Sequence, residues 1–125
     1  MINRSVLILR YKQLFVDWIN AADPVPTNTV KLADVHEDST AYLVEVEDED
    51  ELAAWLKANG EFLFEEELNG WYTDPALWPV DRSLAQFKRW CSFELHTVVV
   101  DTGATPLVDD DEEEGEDDEN VFGEN

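Results

Sequence analysis

Apolar residues along the chain follow two periods, and together these predict alternating strands and helices. Ser5–Tyr11 is a continuous apolar run of strand length, which predicts a strand buried on both faces. Apolar residues then recur at helical spacing from Leu14 to Ala22, and an Asp-Pro pair at 23–24 ends the stripe because the residue before a proline disfavours helical geometry. A strand followed by an amphipathic helix is therefore expected first.

Two alternating segments come next and predict a β-hairpin. Residues 29–35 and 40–46 place apolar side chains at every second position, as in Val30 and Leu32 or Tyr42 and Val44. The four residues between the segments, 36–39, suit a hairpin connection.

Two further helices and a last strand are predicted after the hairpin. Asp48 and Glu51 resemble a capping box at the start of a long apolar stripe, in which Gly60 marks a stop or a bend and Gly70 the end. A second helix is expected after Asp81 as its cap. Before this second helix, an Asp-Pro pair at 74–75 can open a short helical turn. Residues 95–101, after the helix, predict the final strand.

The element order β-α-β-β-α-(α)-β predicts an α+β (α/β) two-layer sandwich, for which the ferredoxin-like order is a candidate. That order places the last strand at a sheet edge, whereas the β-branched run 98–100 is typical of an interior strand. The predicted core residues are Leu7, Leu9, Phe15, Trp18, Ile19, Leu43, Trp55, Leu56, Leu84, Phe87, Trp90, Val98 and Val100.

Charge divides the chain into two parts. The sequence holds 30 Asp and Glu against 8 Lys and Arg, for a formal net charge of −22. Eleven of the acids lie in residues 109–125, with no base among them, while residues 1–108 hold the other 19 acids and all 8 bases, so that each part carries −11. Because dense like charges repel and few apolar residues interrupt them, we predict a single α/β domain over 1–108 and a disordered polyacidic tail over 109–125.

Composition and charge also limit the partners. The apolar fraction of 44% allows a core, yet no apolar stretch approaches the roughly 18 residues that cross a bilayer, and the first residues lack the features of a signal peptide. With a single cysteine, Cys91, an intramolecular disulfide is excluded, and a cytoplasmic location without membrane contact is predicted. Binding to duplex nucleic acid or anionic membranes relies on Lys and Arg, so an acidic chain favours a basic protein surface as partner.

Catalytic and metal-binding patterns are missing from the sequence. There is no Gly-x-Ser-x-Gly elbow and no phosphate-binding glycine loop, and the tail fails the EF-hand pattern because Val121 occupies the position of the bidentate Glu. We therefore predict no catalytic, cofactor-binding or metal residue. Cys91 is most simply a buried structural thiol. The alternative is a small enzyme or ligand-binding domain that uses carboxylates near Asp81, Glu94 and His96.

Two segments are candidates for an interaction site. The connection after Gly70 is rich in aromatic residues, which either pack it onto the body or form an exposed anchor patch with a polar rim. The tail pair Val121 and Phe122 either forms a recognition motif or belongs to a purely solubilising tail. The candidate patch consists of Trp71, Tyr72, Asp74, Trp78, Asp81 and Arg82.

The segments 70–79 (GWYTDPALWP) and 87–101 (FKRWCSFELHTVVVD) resemble small uncharacterised bacterial proteins. The resemblance implies a bacterial origin and that both segments determine the fold, and it transfers no functional residue. The leading functional hypothesis is a non-enzymatic, acidic protein-interaction module of inhibitor or adaptor type that binds a basic protein partner. A solubility-promoting accessory without a specific site is a third hypothesis.

Overall fold

The computed structural model describes residues 1–23, 29–37 and 39–109, which form three strands, four α-helices and one 3₁₀ turn. This mixture confirms the predicted α+β class. The elements, in chain order, are β1 (Ser5–Tyr11), α1 (Gln13–Ala22), α2 (Leu32–His36), β2 (Thr40–Val44), α3 (Glu49–Trp71), the 3₁₀ turn Pro75–Leu77, α4 (Leu84–Trp90) and β3 (Cys91–His96).

In the described residues, three strands form an antiparallel sheet in the order β2-β1-β3, so that β1 is central. The candidate ferredoxin-like order is therefore wrong, because that order needs a fourth strand. Leu7 faces Tyr42 of β2 on one side and Leu95 of β3 on the other. Along β1 the buried residues alternate with half-buried ones, because the helices pack against the face that carries Leu7 and Leu9. The prediction that β1 is buried on both faces is therefore wrong, although its bounds are confirmed.

The predicted strand over residues 29–35 is wrong, since α2 occupies most of this segment. Asp34 accepts a hydrogen bond from the Lys31 backbone amide at 3.1 Å, which supports the first turn of the helix. Val30 lies just before α2 and does not pair with a strand. Its backbone C=O accepts from the Asn20 side-chain amide and its N–H donates to the Asn20 side-chain oxygen, both at 2.9 Å. The predicted hairpin with residues 40–46 is consequently replaced by a helix leading into an edge strand.

Helix α3 runs without a break through Gly60 to Trp71. Asp48 accepts a hydrogen bond from the Glu51 amide at 2.8 Å and so caps the helix as the sequence predicts. Helix α3 does not end at Gly60. This residue is buried against α4, and a Cβ atom at its position would lie 3.1 Å from the Leu84 Cδ1 atom, so the glycine allows α4 to pack closely. No helix in the described ranges is both long and apolar enough to cross a membrane.

Aromatic rings fill the centre of the core between the sheet and the helices. Phe64 of α3 stacks on Phe87 of α4 with ring centroids 4.7 Å apart, and Phe15 and Trp90 pack around this pair edge-on or tilted. The predicted core residues that are buried are Leu7, Leu9, Phe15, Ile19, Leu56, Phe87 and Trp90, with Trp18, Trp55 and Leu84 partly buried against them.

Three predicted core residues are exposed: Leu43, Val98 and Val100. Leu43 pairs with Val6 on the sheet face opposite the helices. The last strand begins at Cys91 and ends at His96, because its pairing with β1 ends where β1 begins; only the Ile2 amide still bonds the Val99 carbonyl, at 2.7 Å. The run 98–100 therefore continues past the sheet into solvent.

Candidate functional site

An acidic groove of about 670 Å³ lies at the end of the sheet where β1 begins. Ser5 donates a buried 2.6 Å hydrogen bond to the Val46 carbonyl, which ties the segment after β2 to the first residue of β1. The turn into α3 then lies beside the N-terminal residues, and Met1 and Val98 contribute exposed apolar side chains. We use "acidic groove" for the surface formed by Met1, Arg4, Glu45, Glu47, Glu51 and Val98.

The groove is negatively charged and partly preorganised. Glu45, Glu47 and Glu51 line it; Arg4, 3.3 Å from Glu45, is the one basic side chain among its described lining, and Met1 adds the N-terminal amino group. The Glu51 carboxylate accepts from the Glu47 amide at 2.7 Å, which fixes its position at the rim. Further acids at 48–50 follow at the start of α3, so negative potential extends beyond the groove itself.

A buried carboxylate lies at the other end of β1. Glu67 of α3 is only 7% exposed. Its two oxygens accept hydrogen bonds from the phenol of Tyr11 at 2.7 Å, from the phenol of Tyr42, and at 3.5 Å from the Thr40 hydroxyl. The Trp71 indole N–H donates in turn to the Tyr11 oxygen at 2.9 Å. These five residues, the Glu67 cluster, satisfy a buried charge with neutral donors, without an ion pair of their own.

Burial and the Glu67 charge shift the ionisation of the neighbouring groups. Burial raises the pKa of both Tyr11 and Tyr42 well above the usual range, and the hydrogen bonds to Glu67 and its charge raise them further. Burial likewise raises the pKa of the Cys91 thiol, with Glu67 adding to the effect and Lys12 opposing it. Both phenols and the thiol therefore remain protonated at neutral pH.

These shifts predict a loss of stability in alkali. Unfolded cysteine ionises near pH 8.5 and unfolded tyrosine near pH 10, whereas the folded thiol and phenols hold their protons, so the unfolding free energy is intact below about pH 8 and falls above it, most steeply above about pH 10. Each phenol that keeps its proton in the folded state contributes a slope of at most about 1.4 kcal/mol per pH unit above pH 10. Urea denaturation between about pH 8 and pH 11 measures the effect. A Tyr11→Phe chain should lose stability less steeply, and an equal slope would contradict this origin.

A cavity of about 510 Å³ adjoins the Glu67 cluster between β1, α2 and β2. Tyr11, Thr40 and Trp71 belong to both. Asp34 and Ser39 also line the cavity, and the Ser39 hydroxyl oxygen is buried with no hydrogen-bond partner among the described residues. We call this space the Ser39 cavity.

The aromatic-rich connection between α3 and α4 is held against the rest of the domain by hydrogen bonds as well as by its rings. The Tyr72 phenol donates to the Ile19 carbonyl at 2.5 Å, and the Trp78 indole donates to the Tyr72 carbonyl at 2.7 Å. The Arg82 guanidinium lies over the Trp78 ring and bonds Glu65 at 2.9 Å. Asp74 caps the 3₁₀ turn, as the sequence predicts. The interaction patch of Trp71, Tyr72, Asp74, Trp78, Asp81 and Arg82 stays a prediction.

Of the three residues of the alternative site, Glu94 and His96 contact each other, and Asp81 makes its own local contacts. Asp81 accepts from the Ser83 amide at 3.0 Å, and that bond together with the Ser83 side chain lowers the pKa of Asp81. Ser83 rather than Asp81 caps α4, so the predicted cap is wrong. Glu94 bonds His96 at 2.5 Å and Arg10 at 3.2 Å, and these contacts lower its pKa.

Two further residues, Cys91 and His36, contact Tyr11 of the Glu67 cluster, and the tail pair lies outside the described residues. Cys91 is buried, as predicted, at the first position of β3. His36 bonds the Tyr11 carbonyl at 2.8 Å. Val121 and Phe122 lie outside the described residues. Within the described ranges, no three His, Cys, Asp or Glu side chains come together as metal ligands would.

The sequence does not single out Glu67, because this residue is one of three consecutive glutamates, 65–67, in a strongly acidic chain. Its helical phase was the available signal, since position 67 lies on the same face of α3 as Leu63, Phe64 and Gly60. Comparisons with models of protein families, with curated proteins and with solved structures find no match for the chain.

Proposed function

We propose that the protein is a non-enzymatic interaction module that binds a basic protein segment in the acidic groove. The observation that carries the proposal is the pairing of three carboxylates, at Glu45, Glu47 and Glu51, with the exposed side chains of Met1 and Val98 in one groove. Carboxylates give affinity for Lys and Arg, and apolar side chains give contact area that survives salt.

Charge supports the proposal over the whole molecule. A formal net charge of −22 attracts a cationic partner over long range and repels anionic ones, which raises the association rate with the former. The partner that fits is an amphipathic segment with Lys or Arg on one side and apolar residues on the other. An inhibitor or adaptor role in the bacterial cytoplasm, without direct contact to duplex nucleic acid, completes the proposal.

Matched double variants test the groove. A synthetic peptide of about 12 residues with alternating Lys and Leu is titrated into the parent, into Glu45→Gln/Glu47→Gln, and into Glu61→Gln/Glu66→Gln. Both variants lose two negative charges, but Glu61 and Glu66 lie exposed on α3 and do not line the groove. We expect the first variant to bind about five- to tenfold more weakly and the second to lose less than about twofold.

The salt dependence and the location of binding complete this experiment. Affinity for the parent should fall strongly between about 50 mM and 500 mM salt, because exposed charges are screened. In NMR spectra, the amides of Ser5, Val46 and Val98 should shift. Equal losses in the two variants would show that only net charge matters and would overturn the assignment to the groove.

A further inference from the structure

The Ser39 cavity carries an inference that is independent of the proposed function. We infer that it binds a small organic cation, an ammonium group carried on a short apolar body. The cavity borders Tyr11, at one end of β1, whereas the acidic groove borders Ser5 at the other. Six residues of a strand separate these ends by about 20 Å.

The charges that face the cavity select a cation. Asp34 is the one formally charged residue among its described lining, and no Lys, Arg or His belongs to that lining. Glu67 adds a second negative charge behind Tyr11 and Thr40, to which its oxygens are bonded. A carboxylate or phosphate ligand would lie beside two negative charges with no basic side chain to pair with it.

One acidic side chain offers an acceptor at the wall of the cavity. Asp34 lines the cavity and is exposed, so an ammonium N–H of a ligand would donate to its carboxylate. Asp34 already accepts from the Lys31 amide, which holds its carboxylate in place.

The walls suit the apolar body of such a ligand. Leu9, Val30 and Val35 line the cavity with aliphatic carbon, and Tyr11 and Trp71 add aromatic rings whose faces attract cations. The ring of Trp71 is preorganised, because its indole N–H is bonded to the Tyr11 oxygen. A volume of about 510 Å³ lies in the usual range of small-ligand pockets.

Three probes of equal length test the charge selection: n-pentylammonium, 1-pentanol and pentanoate. Each is titrated into the full chain while the amides of Ser39 and Thr40 and the Trp71 indole are followed by NMR. We expect saturable shifts with n-pentylammonium, and binding at least about tenfold weaker for the alcohol and the acid. Equal binding of all three, or no saturable shift with the amine, would overturn the inference.

Two isosteric variants test the residue that selects the charge. Asp34→Asn keeps an acceptor for the Lys31 amide but removes the negative charge, and it should weaken n-pentylammonium about tenfold. Asp17→Asn makes the same change on α1 outside the cavity lining and should leave affinity unchanged. If both variants bind like the parent, Asp34 does not select the ligand and the inference fails.

A final comparison distinguishes the two sources of an ammonium group. Nα-acetyl-lysine N-methylamide presents the group as a protein side chain does, whereas n-pentylammonium represents a free amine. Tighter binding of the lysine derivative assigns the cavity to a lysine of a protein partner, and tighter binding of the free amine assigns it to a small metabolite. The acidic-groove variant Glu45→Gln/Glu47→Gln should bind both probes like the parent, so failure of the groove proposal leaves this result unaffected.

Discussion

Replacing Phe64 with alanine should lower the free energy of unfolding by about 3–5 kcal/mol, since the change removes a fully buried ring and leaves a cavity. The ring stacks on Phe87 at 4.7 Å and contacts Phe15 and Trp90, so side chains from two other helices, α1 and α4, would lose contacts at once. With typical domain stabilities of about 5–15 kcal/mol, this loss is a large fraction of the total. Urea denaturation monitored by circular dichroism measures the loss.

Helix α3 offers a matched control two residues away. Phe62 is 63% exposed, so Phe62→Ala removes a ring of the same size from the same helix without opening a cavity. We expect a change within about 0.5 kcal/mol for this control. Similar losses for the two variants would mean that helix propensity, rather than the aromatic core, accounts for the effect.

Glu67→Ala should destabilise the fold by about 3–5 kcal/mol, a large effect for an acidic side chain in a chain that already repels itself. The substitution removes the acceptor of the Tyr11 and Tyr42 phenols, and hydrogen bonds to a charged group contribute about 1.5–3 kcal/mol each. Glu67→Gln keeps the shape and one acceptor oxygen, so its cost should be about 1–2 kcal/mol.

The neighbouring Glu66 is the control, because it is exposed on the same turn of α3 and its removal changes the net charge equally. Glu66→Ala should alter stability by less than about 0.5 kcal/mol. A Glu67→Ala chain as stable as this control would show that the two phenols find other acceptors, and the Glu67 cluster would then have no structural role.

Long periodic segments could be predicted from the sequence, whereas short ones could not. The bounds of β1 and the cap of α3 follow from an apolar run and from the Asp48–Glu51 spacing. Residues 29–35 fit both periods, since Val30 and Leu32 are two apart while Leu32 and Val35 are three apart. What decides against a strand is the side chain of Asn20 in α1, which hydrogen-bonds both the N–H and the C=O of Val30 and so prevents pairing with a strand.

The ends of elements depend on partners that local sequence does not show. Val98 and Val100 have strong β propensity, yet β1 provides no strand for them to pair with beyond Ser5. Leu43 alternates correctly with its neighbours, but it faces the side of the sheet that the helices leave open. In each case β propensity therefore identified residues that favour a strand, but it did not show whether another element buries their side chains.

The candidate sites were predictable only in part. Net charge and the acids before α3 predict an acidic surface, but the groove itself depends on Ser5 and Val46 being joined across 41 positions of sequence. The Ser39 cavity and the Glu67 cluster bring together residues from β1, β2 and α3, and no local pattern marks those contacts.

The central position of β1 has a consequence for the order of folding. This strand is synthesised before both of its neighbours, which follow only at Thr40–Val44 and Cys91–His96. On the ribosome, both hydrogen-bonding edges of β1 therefore stay unpaired until those strands emerge, the second only after residue 96. Closing such a long loop is slow compared with helix formation, so the sheet is completed late, and chaperones have their main opportunity to bind β1 before that step.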